Sequence, residues 1–372
     1  MANTGTTNHM TALLAQGQSV WLDYLRRGML RDGDLAARIQ DGLRGMTSNP
    51  SIFEKAIDES TDYDAALRDR TLEGKTDVEV FEELAVEDVR EACDEFRSLY
   101  DATDGADGFV SIEVNPRLAR ETEASLAEAH RLWREVGRPN VMVKIPGTHE
   151  GWSAIERALG EGLNINITLL FSVGHYREVA EAYLRALEAR VRLGQPVHRI
   201  ASVASFFVSR VDTEVDKRLH AGGDANASLR GQAAVANATL AYALFRELFS
   251  GPRWNALAAR GARVQRPLWA STSTKDKAYS DVKYVEALIG ADTITTVPPD
   301  TLAHFEDHGV VTRTLPGDPG QAAHVMQALA KSGIDFADVT QTLETEGIEK
   351  FAKSYETLLA TLKRKRQALA AA

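Results

Sequence analysis

The chain has 372 residues, of which 44% are hydrophobic and 26% charged, as is typical of a globular protein. Its formal net charge of −10 argues against nucleic-acid binding, and no apolar run approaches the roughly 20 residues that a membrane helix needs. The start, residues 1–10, lacks the pattern of a secretion signal. The single cysteine, Cys93, excludes an internal disulfide, so a cytoplasmic protein is expected.

Strand-like and helical patterns alternate along almost the whole chain. Helical periodicity covers, for example, residues 118–136, 176–192 and 282–289, each followed closely by a glycine. The short apolar runs between helices read as strands. They span residues 19–24, 45–48, 109–114, 141–145, 164–170, 200–207, 266–272 and 293–297. Strands separated by helices pair in parallel, and eight such units predict an α/β fold, a closed (β/α)8 TIM barrel. An open doubly wound sheet is the alternative, but no Gly-x-Gly-x-x-Gly follows a first strand.

Extra segments accompany this repeat. Residues 58–105 predict a helical insertion between the second and third strands, and residues 227–261 add a helix before the seventh. Residues 318–372 predict C-terminal helices that end in the basic run 363–366, interpreted as a solvated helix end. Residues 1–14 are expected to be a flexible tail. Without a linker or an internal repeat, residues 1–372 are predicted to form a single domain.

Lys144 interrupts the apolar stretch N-V-M-V-K-I-P at residues 140–146. A buried ammonium is costly unless it is paired, neutralised or used. Burial favours the neutral form of an amine, and a neutral amine attacks carbonyls. Lys144 is therefore a candidate for Schiff-base formation; the alternative is a strand-end lysine that reaches solvent or a carboxylate.

Side-chain alternation separates polar from apolar residues in most of the predicted strands. Val141, Val143 and Ile145 share one face of the fourth strand, and Lys144 lies on the other. In the fifth strand, Ile165, Ile167 and Leu169 are predicted to face the helix layer. The opposite parity carries polar residues near the strand ends, where barrel enzymes gather their chemistry. These polar residues are Asp23, Thr47, Asn49, Ser111, Glu113, Lys144, Asn164, Asn166, Thr168, Ser205, Ser271 and Ser273. Such convergence favours a catalytic Lys144, because isolated buried polar groups need partners.

Several segments together resemble transaldolase, a member of the Schiff-base aldolase barrels. The resemblance spans most of the chain, and its length is similar to that of a long bacterial branch. Its motifs are G-M-T-S-N-P-S-I-F (45–53), V-S-I-E-V-N-P-R (110–117), V-K-I-P-G-T (143–148), N-I-N-I-T-L-L-F-S (164–172), S-F-F-V-S-R-V-D (205–212) and W-A-S-T-S-T-K-D (269–276).

The resemblance implies roles for individual residues. Lys144 matches the lysine that forms the Schiff base with the ketose carbonyl. Glu113 and Thr168 match the acid and the hydroxyl that hold a water beside that lysine, and Asp23 matches the base that removes the C4 hydroxyl proton. The positions implied to bind the sugar or its phosphate are Thr47, Asn49, Asn166, Ser205 and Arg210, and the hydroxyl of Ser271 or Ser273 is expected to help at the phosphate. No cofactor is implied, and the scattered histidines lack a metal-ligand spacing such as H-E-x-x-H.

Two positions test the resemblance. Phe207 stands where a relative that only cleaves fructose 6-phosphate has a tyrosine, so transfer of the three-carbon unit is expected. Ser273 stands where the better-known branch has an arginine, and Lys275 is expected to supply the missing phosphate charge. The alternative for Ser273 to Asp276 is a surface helix cap.

The expected partners are therefore phosphorylated sugars, with neither nucleic acid nor membrane involved, and the chain is expected to act as a monomer or a homodimer. Two other functions stay open from the residues. One is an aldolase that releases free dihydroxyacetone, and the other is a barrel that binds sugar phosphates without catalysis.

Overall fold

A computed structural model describes residues 8–370. Within them, eight parallel strands close into a barrel in chain order, with β1 hydrogen-bonded to both β2 and β8. The strands are β1 (Gln18–Asp23), β2 (Gly45–Thr47), β3 (Phe109–Glu113), β4 (Val141–Pro146), β5 (Ile165–Leu170), β6 (Ser202–Phe207), β7 (Arg266–Ala270) and β8 (Thr293–Val297). The predicted (β/α)8 barrel is confirmed, and the alternative of an open sheet is wrong.

Helices surround the barrel. Those before β3 are α1 (His9–Ala15), α2 (Arg27–Arg31), α3 (Asp34–Asp41), α4 (Pro50–Glu59), α5 (Asp64–Leu72), α6 (Asp77–Glu95) and α7 (Arg97–Ala102). Those between β3 and β7 are α8 (Thr122–Val136), α9 (His149–Glu161), α10 (Val173–Arg192), α11 (Ser209–Ala221), α12 (Ala233–Leu248) and α13 (Gly251–Ala258). The last are α14 (Lys283–Ala287), α15 (Pro299–His308), α16 (Pro319–Lys331) and α17 (Phe336–Ala370). No helix between residues 8 and 370 is long and apolar enough to cross a membrane.

The extra helices lie where the sequence predicted them: α5, α6 and α7 between β2 and β3, α12 and α13 before β7, and α16 and α17 at the end. The expected flexible tail at residues 1–14 is wrong from residue 9 onward. There α1 is capped by Asn8, and Met10 and Leu13 are buried in the core, because apolar side chains gain stability when they leave water. Residues 1–7 lie outside the described part of the chain.

Aromatic rings fill the barrel interior, and polar side chains lie at the C-terminal ends of its strands. Trp21 and Trp269 are fully buried. A Cβ on Gly45 would lie only 2.5 Å from the Trp21 ring, so glycine lets this tryptophan fill the interior. Val143 and Ile165, on the opposite parity, are also fully buried, in the shared hydrophobic core.

Strand register aligns the predicted site residues. Glu113 pairs with Lys144, and Lys144 pairs with Asn166, so that three neighbouring strands carry them in one row. Asp23 pairs with Thr47 in the same manner. Because parallel strands end at the same side of a barrel, these side chains meet at its C-terminal mouth.

An irregularity in β5 corrects one predicted orientation. The register between β5 and β6 shifts between Ile167 and Leu170, and Leu169 has a positive φ of 61°. The bulge turns Leu169 away from the helix layer, because an extra residue in a strand reverses the alternation of side chains. Its Cδ2 atom lies 2.9 Å from where a Cβ of Gly347 would stand. Leu169 therefore contacts α17 above the barrel, and glycine allows that close approach.

The 35-residue helix α17 lies over the mouth and is anchored at its end by the basic run. Lys365 Nζ lies 3.0 Å from Asp64 Oδ1, and Arg366 donates to the Lys75 carbonyl at 2.7 Å. Arg364 pairs with Asp58. The side chains of Lys365 and Arg366 are only 18% and 12% exposed. The interpretation of this run as a solvated helix end is therefore wrong for these two residues, since the insertion helices supply carboxylates that partly bury it.

Candidate active site

A cavity of about 710 Å³ opens at the C-terminal mouth of the barrel. Most of the site residues predicted from the sequence line it. They are Asp23, Thr47, Asn49, Lys144, Thr168, Ser205, Phe207, Arg210, Ser271, Ser273 and Lys275. The other two, Glu113 and Asn166, lie beneath the cavity wall and contact residues that line it. The barrel thus gathers side chains that are separated by as many as 252 positions in the sequence.

Lys144 and Glu113 form a buried pair at the base of the cavity. Lys144 Nζ donates to Glu113 Oε2 at 3.3 Å, and the two side chains are 6% and 3% exposed. Burial raises the pKa of Glu113 above its ordinary value, although the positive charge of Lys144 opposes the shift. A carboxyl group that retains its proton is a weak counter-ion.

Two oxygen atoms beside this pair have no protein partner. Glu113 Oε1 and Thr168 Oγ1 are buried and make no hydrogen bond with any residue between 8 and 370. Buried polar atoms usually have partners, and exceptions are common at functional sites. These two atoms could therefore bind a substrate hydroxyl or a water molecule close to Lys144.

Asp23, at the end of β1, is positioned by a pair of hydroxyl groups from β2 and β8. Thr47 donates to Asp23 Oδ1 at 2.6 Å, and the Thr47 hydroxyl also lies 2.8 Å from that of Thr296. Thr47 thereby holds one carboxylate oxygen of Asp23, which itself lines the cavity. A carboxylate in this setting can act as a general base.

A second hydrogen-bond chain crosses the barrel interior. Ser205 donates to Asn166 Oδ1 at 2.7 Å, and Asn166 Nδ2 donates to Ser111 at 3.0 Å. Asn166 is fully buried, so it orients Ser205 and does not itself face the cavity. Asn49 combines two tasks, because its Oδ1 caps α4 by accepting from the Ile52 amide at 3.1 Å while the residue lines the cavity.

The cavity also carries positive charge. Arg210 and Lys275 line it, and neither forms an ion pair with any residue in the described range 8–370. Burial lowers the pKa of Arg210. Burial, followed by the charges of Arg210 and Lys350, lowers the pKa of Lys275, although its side chain reaches solvent. Cations that repel each other in this way favour a bound anion such as phosphate.

The loop after β7 provides hydroxyl groups near this charge. Ser271 has a φ of 55°, and its hydroxyl lies 3.0 Å from that of Ser209. Lys275 donates to the Ser273 hydroxyl. The alternative of a helix cap at residues 273–276 is wrong, because the next helix, α14, begins only at Lys283.

Two phenylalanines give the cavity apolar walls. Phe207 is 6% exposed, packs against Phe171 at 5.2 Å between ring centroids, and lies 5.3 Å from the Arg210 guanidinium. Phe351, which comes from α17, is 8% exposed, and its ring centroid lies 5.6 Å from Lys144 Nζ. The Lys144 amine therefore has a carboxyl group and an aromatic face as neighbours.

Sequence reasoning missed Thr296, Lys350 and Phe351. The alternation rule could not select Thr296, because the strand T-I-T-T-V has threonines on both faces. Lys350 and Phe351 lie on a surface helix far along the chain, and their position depends on how α17 packs. No local sequence pattern predicts that packing.

Known proteins resemble this chain over most of its length. The family described as Transaldolase/Fructose-6-phosphate aldolase matches residues 20–362. A transaldolase from Acidothermus cellulolyticus is 50% identical over 360 residues, covering 96% of this chain and 97% of that protein. A transaldolase from Saccharopolyspora erythraea is 49% identical, with 96% and 98% covered. A transaldolase from Thermobifida fusca is 50% identical, with 92% and 94% covered.

Proposed function

The chain belongs to the transaldolase/fructose-6-phosphate aldolase family and has transaldolase activity, and from this premise we propose that Lys144 carries the reaction as its Schiff-base nucleophile. The observation that supports this most directly is the buried Lys144–Glu113 pair at the base of a polar cavity. The donor would be sedoheptulose 7-phosphate or fructose 6-phosphate, and the acceptor glyceraldehyde 3-phosphate or erythrose 4-phosphate. This is the exchange chemistry of the non-oxidative pentose phosphate pathway.

Imine formation is the first step. The Lys144 amine attacks C2 of the ketose and passes one proton to the carbonyl oxygen. A second proton, from Glu113, then lets that oxygen leave as water, and an iminium remains at C2. Glu113, whose pKa is raised by burial, can retain a proton and deliver it. Its Oε1 and the Thr168 hydroxyl have no partner within residues 8–370, and we assign to them the water through which this proton passes.

Cleavage of the C3–C4 bond follows. Asp23 removes the proton from the C4 hydroxyl, C4 leaves as an aldehyde, and the electron pair passes into the iminium at C2. Thr47, by donating to Asp23 at 2.6 Å, keeps the carboxylate oriented. Thr47, Asn49 and Ser205 line the cavity and would bind sugar hydroxyls, and the buried Asn166 would orient Ser205.

The phosphate would bind at the positively charged residues of the cavity. Arg210 and Lys275 provide charge, and Ser271 and Ser273 provide hydroxyl groups. A lysine offers a point charge where an arginine offers a planar fork. Phosphate binding here would therefore depend on the sum of several cations more than on one bidentate contact.

Phe207 favours transfer over release of dihydroxyacetone. Its ring packs against Phe171 and Arg210, so it brings no hydroxyl group to the bound three-carbon unit. A tyrosine at this position would supply a proton donor. We therefore propose transfer to an aldehyde as the main outcome, and an aldolase that releases dihydroxyacetone as the second candidate function.

Borohydride trapping tests the nucleophile. The protein is incubated with fructose 6-phosphate, reduced, digested and analysed by peptide mass spectrometry. The expected adduct lies on Lys144 and is absent from Lys144→Ala. Lys55→Ala, which removes another lysine of the same cavity, is the matched control and should retain the adduct. Active enzyme without an adduct on Lys144 would refute the proposal, and a folded but inactive wild-type protein that binds fructose 6-phosphate would favour a non-catalytic barrel.

The wider setting rests on the reaction. Phosphorylated sugars are the expected partners, and we propose that the enzyme works in the cytoplasm, where these metabolites occur, as a monomer or a homodimer. The barrel strands and the packed helices share one hydrophobic cluster within residues 8–370, which supports a single domain.

A further inference from the structure

Phe351 covers the reactive amine from outside the barrel. Its ring centroid lies 5.6 Å from Lys144 Nζ, and it is the residue of α17 that lines both the main cavity and a neighbouring one of about 330 Å³. Lys144 is only 6% exposed although it borders an open cavity. An aromatic ring directly above an amine excludes water from that side.

The segment of α17 that carries Phe351 is held in place on both sides. Gly347, one turn before it, packs against Leu169 of the barrel. Ser354, one turn after it, accepts a hydrogen bond from Ser51 at 2.8 Å. Tyr355 packs edge-to-face against Phe81 at 5.7 Å. The ring is therefore a fixed part of the site.

The polar and apolar contacts of Lys144 differ in kind. Glu113, which accepts a hydrogen bond from the amine, and Thr168, which lines the same cavity as Lys144, offer proton-carrying groups. Phe351 and Phe207 offer none. Such an arrangement admits a proton near the nitrogen and C2 while keeping other proton donors from the carbon beyond.

We propose that Phe351 is a positioning residue that shields the lysine-bound three-carbon unit from water, so that its nucleophilic carbon reacts with an aldehyde before it is protonated. This inference rests on the proposed Schiff-base reaction at Lys144. It assigns a step of that reaction to the C-terminal helix.

The two fates of the intermediate differ in one event. After C3–C4 cleavage, C3 carries the electron pair of an enamine. In transfer, that pair forms a bond to the aldehyde carbon of the acceptor, and the aldehyde oxygen takes up a proton. In release, the same pair takes a proton from water. Either path restores the iminium, and one water then adds at C2 and displaces the Lys144 amine. Hydrolysis is common to both, so shielding C3 selects transfer.

A graded series at this position tests the shield. Phe351→Leu keeps an apolar cover, and Phe351→Val and Phe351→Ala open it stepwise. Phe336→Ala is the matched control, because it removes another phenylalanine of the same helix that does not line the Lys144 cavity. Free dihydroxyacetone released from fructose 6-phosphate is measured with and without erythrose 4-phosphate, together with transfer. Thermal denaturation identifies the members that are folded.

The ratio of release to transfer should rise about tenfold in Phe351→Ala, rise less in Phe351→Val, and stay near the wild-type value in Phe351→Leu and Phe336→Ala. An unchanged ratio in the folded small variants, or an equal rise in Phe336→Ala, would overturn the inference. If wild-type enzyme fails to form the Lys144 adduct with borohydride, the proposed reaction itself is at fault. If the adduct forms and the ratio of release to transfer does not change, only the proposed shielding by Phe351 is refuted.

Discussion

Replacing Lys144 with methionine separates the electrostatic cost of the buried pair from its chemistry. Methionine has a similar length and no charge, so Lys144→Met removes the partner of Glu113 without leaving a large cavity. Glu113 is 3% exposed and lies 3.3 Å from the amine that is lost. At this separation the attraction between two full charges is about 5 kcal/mol with an effective dielectric constant of roughly 20. Removing one partner of a buried pair typically costs about 3–5 kcal/mol.

This cost should depend on pH with a defined sign. Burial already raises the pKa of Glu113, and Lys144 is what opposes the shift, so Lys144→Met should raise it further. A folded-state pKa above the unfolded value of about 4.3 gives stability that is present at low pH and lost as pH rises through the folded pKa. The slope is about 1.4 kcal/mol per pH unit for one proton. Protonation of Glu113 thus limits the penalty at low pH and no longer does so once the pH exceeds the folded-state pKa.

The double variant Lys144→Met/Glu113→Gln isolates this effect. The free energy of unfolding is measured with urea, by tryptophan fluorescence, for the single and double variants from pH 5 to 8. The difference between them should be smallest at pH 5 and should grow in favour of the double variant as pH rises, to about 3–5 kcal/mol once Glu113 is ionised. Both variants should lose transfer activity. A difference that stays constant across this range would show that water in the cavity solvates Glu113, and the argument from burial would fail.

Other expected outcomes concern the remaining roles. Asp23→Asn should form the Lys144 adduct with fructose 6-phosphate yet lower kcat by about 10²–10⁴; loss of the adduct would instead place Asp23 in imine formation. Phe207→Tyr should increase the release of free dihydroxyacetone in an assay without acceptor, because it adds a proton donor; unchanged release would leave Phe207 with a packing role only. Lys275→Ala should raise KM for fructose 6-phosphate about tenfold, by loss of one charged contact worth roughly 1.5 kcal/mol, while kcat changes little. Its matched control, Lys277→Ala, lies two residues further along the same loop and outside the cavity, and an equal effect there would argue against a specific phosphate contact.

The barrel could be predicted from the sequence because it follows from local periodicity. Strand-helix alternation determined the element order, and side-chain parity separated Val143 and Ile145 from Lys144 in β4. Polar strand ends such as Asp23 and Thr168 could be assigned to one mouth, since parallel strands must end together. These inferences need only the alternation of side chains along a strand and the rule that strands joined by helices pair in parallel.

The rest depends on contacts between distant segments. The bulge that turns Leu169 away from the helix layer arises from the register between β5 and β6, which no pattern within β5 reveals. Asn166 has the parity of a ligand-binding residue, but its hydrogen bonds to Ser205 and Ser111 bury it completely. In the sequence, Phe351 is one of the apolar residues on the buried face of a helix. Only its position beside Lys144 indicates a role.

The helical insertion and the C-terminal helix are best understood together. Helix α17 buries an apolar stripe that includes Leu343, Leu358 and Leu362, and exposed ion pairs alone would add only about 0–1 kcal/mol each. The end of α17 is instead held by partly buried groups, where Arg366 bonds the Lys75 carbonyl and Lys365 lies against Asp64. Those partners belong to or border the insertion helices α5 and α6. The insertion therefore supports α17 through a contact between residues 291 positions apart, and α17 in turn positions Phe351 beside the Lys144 amine.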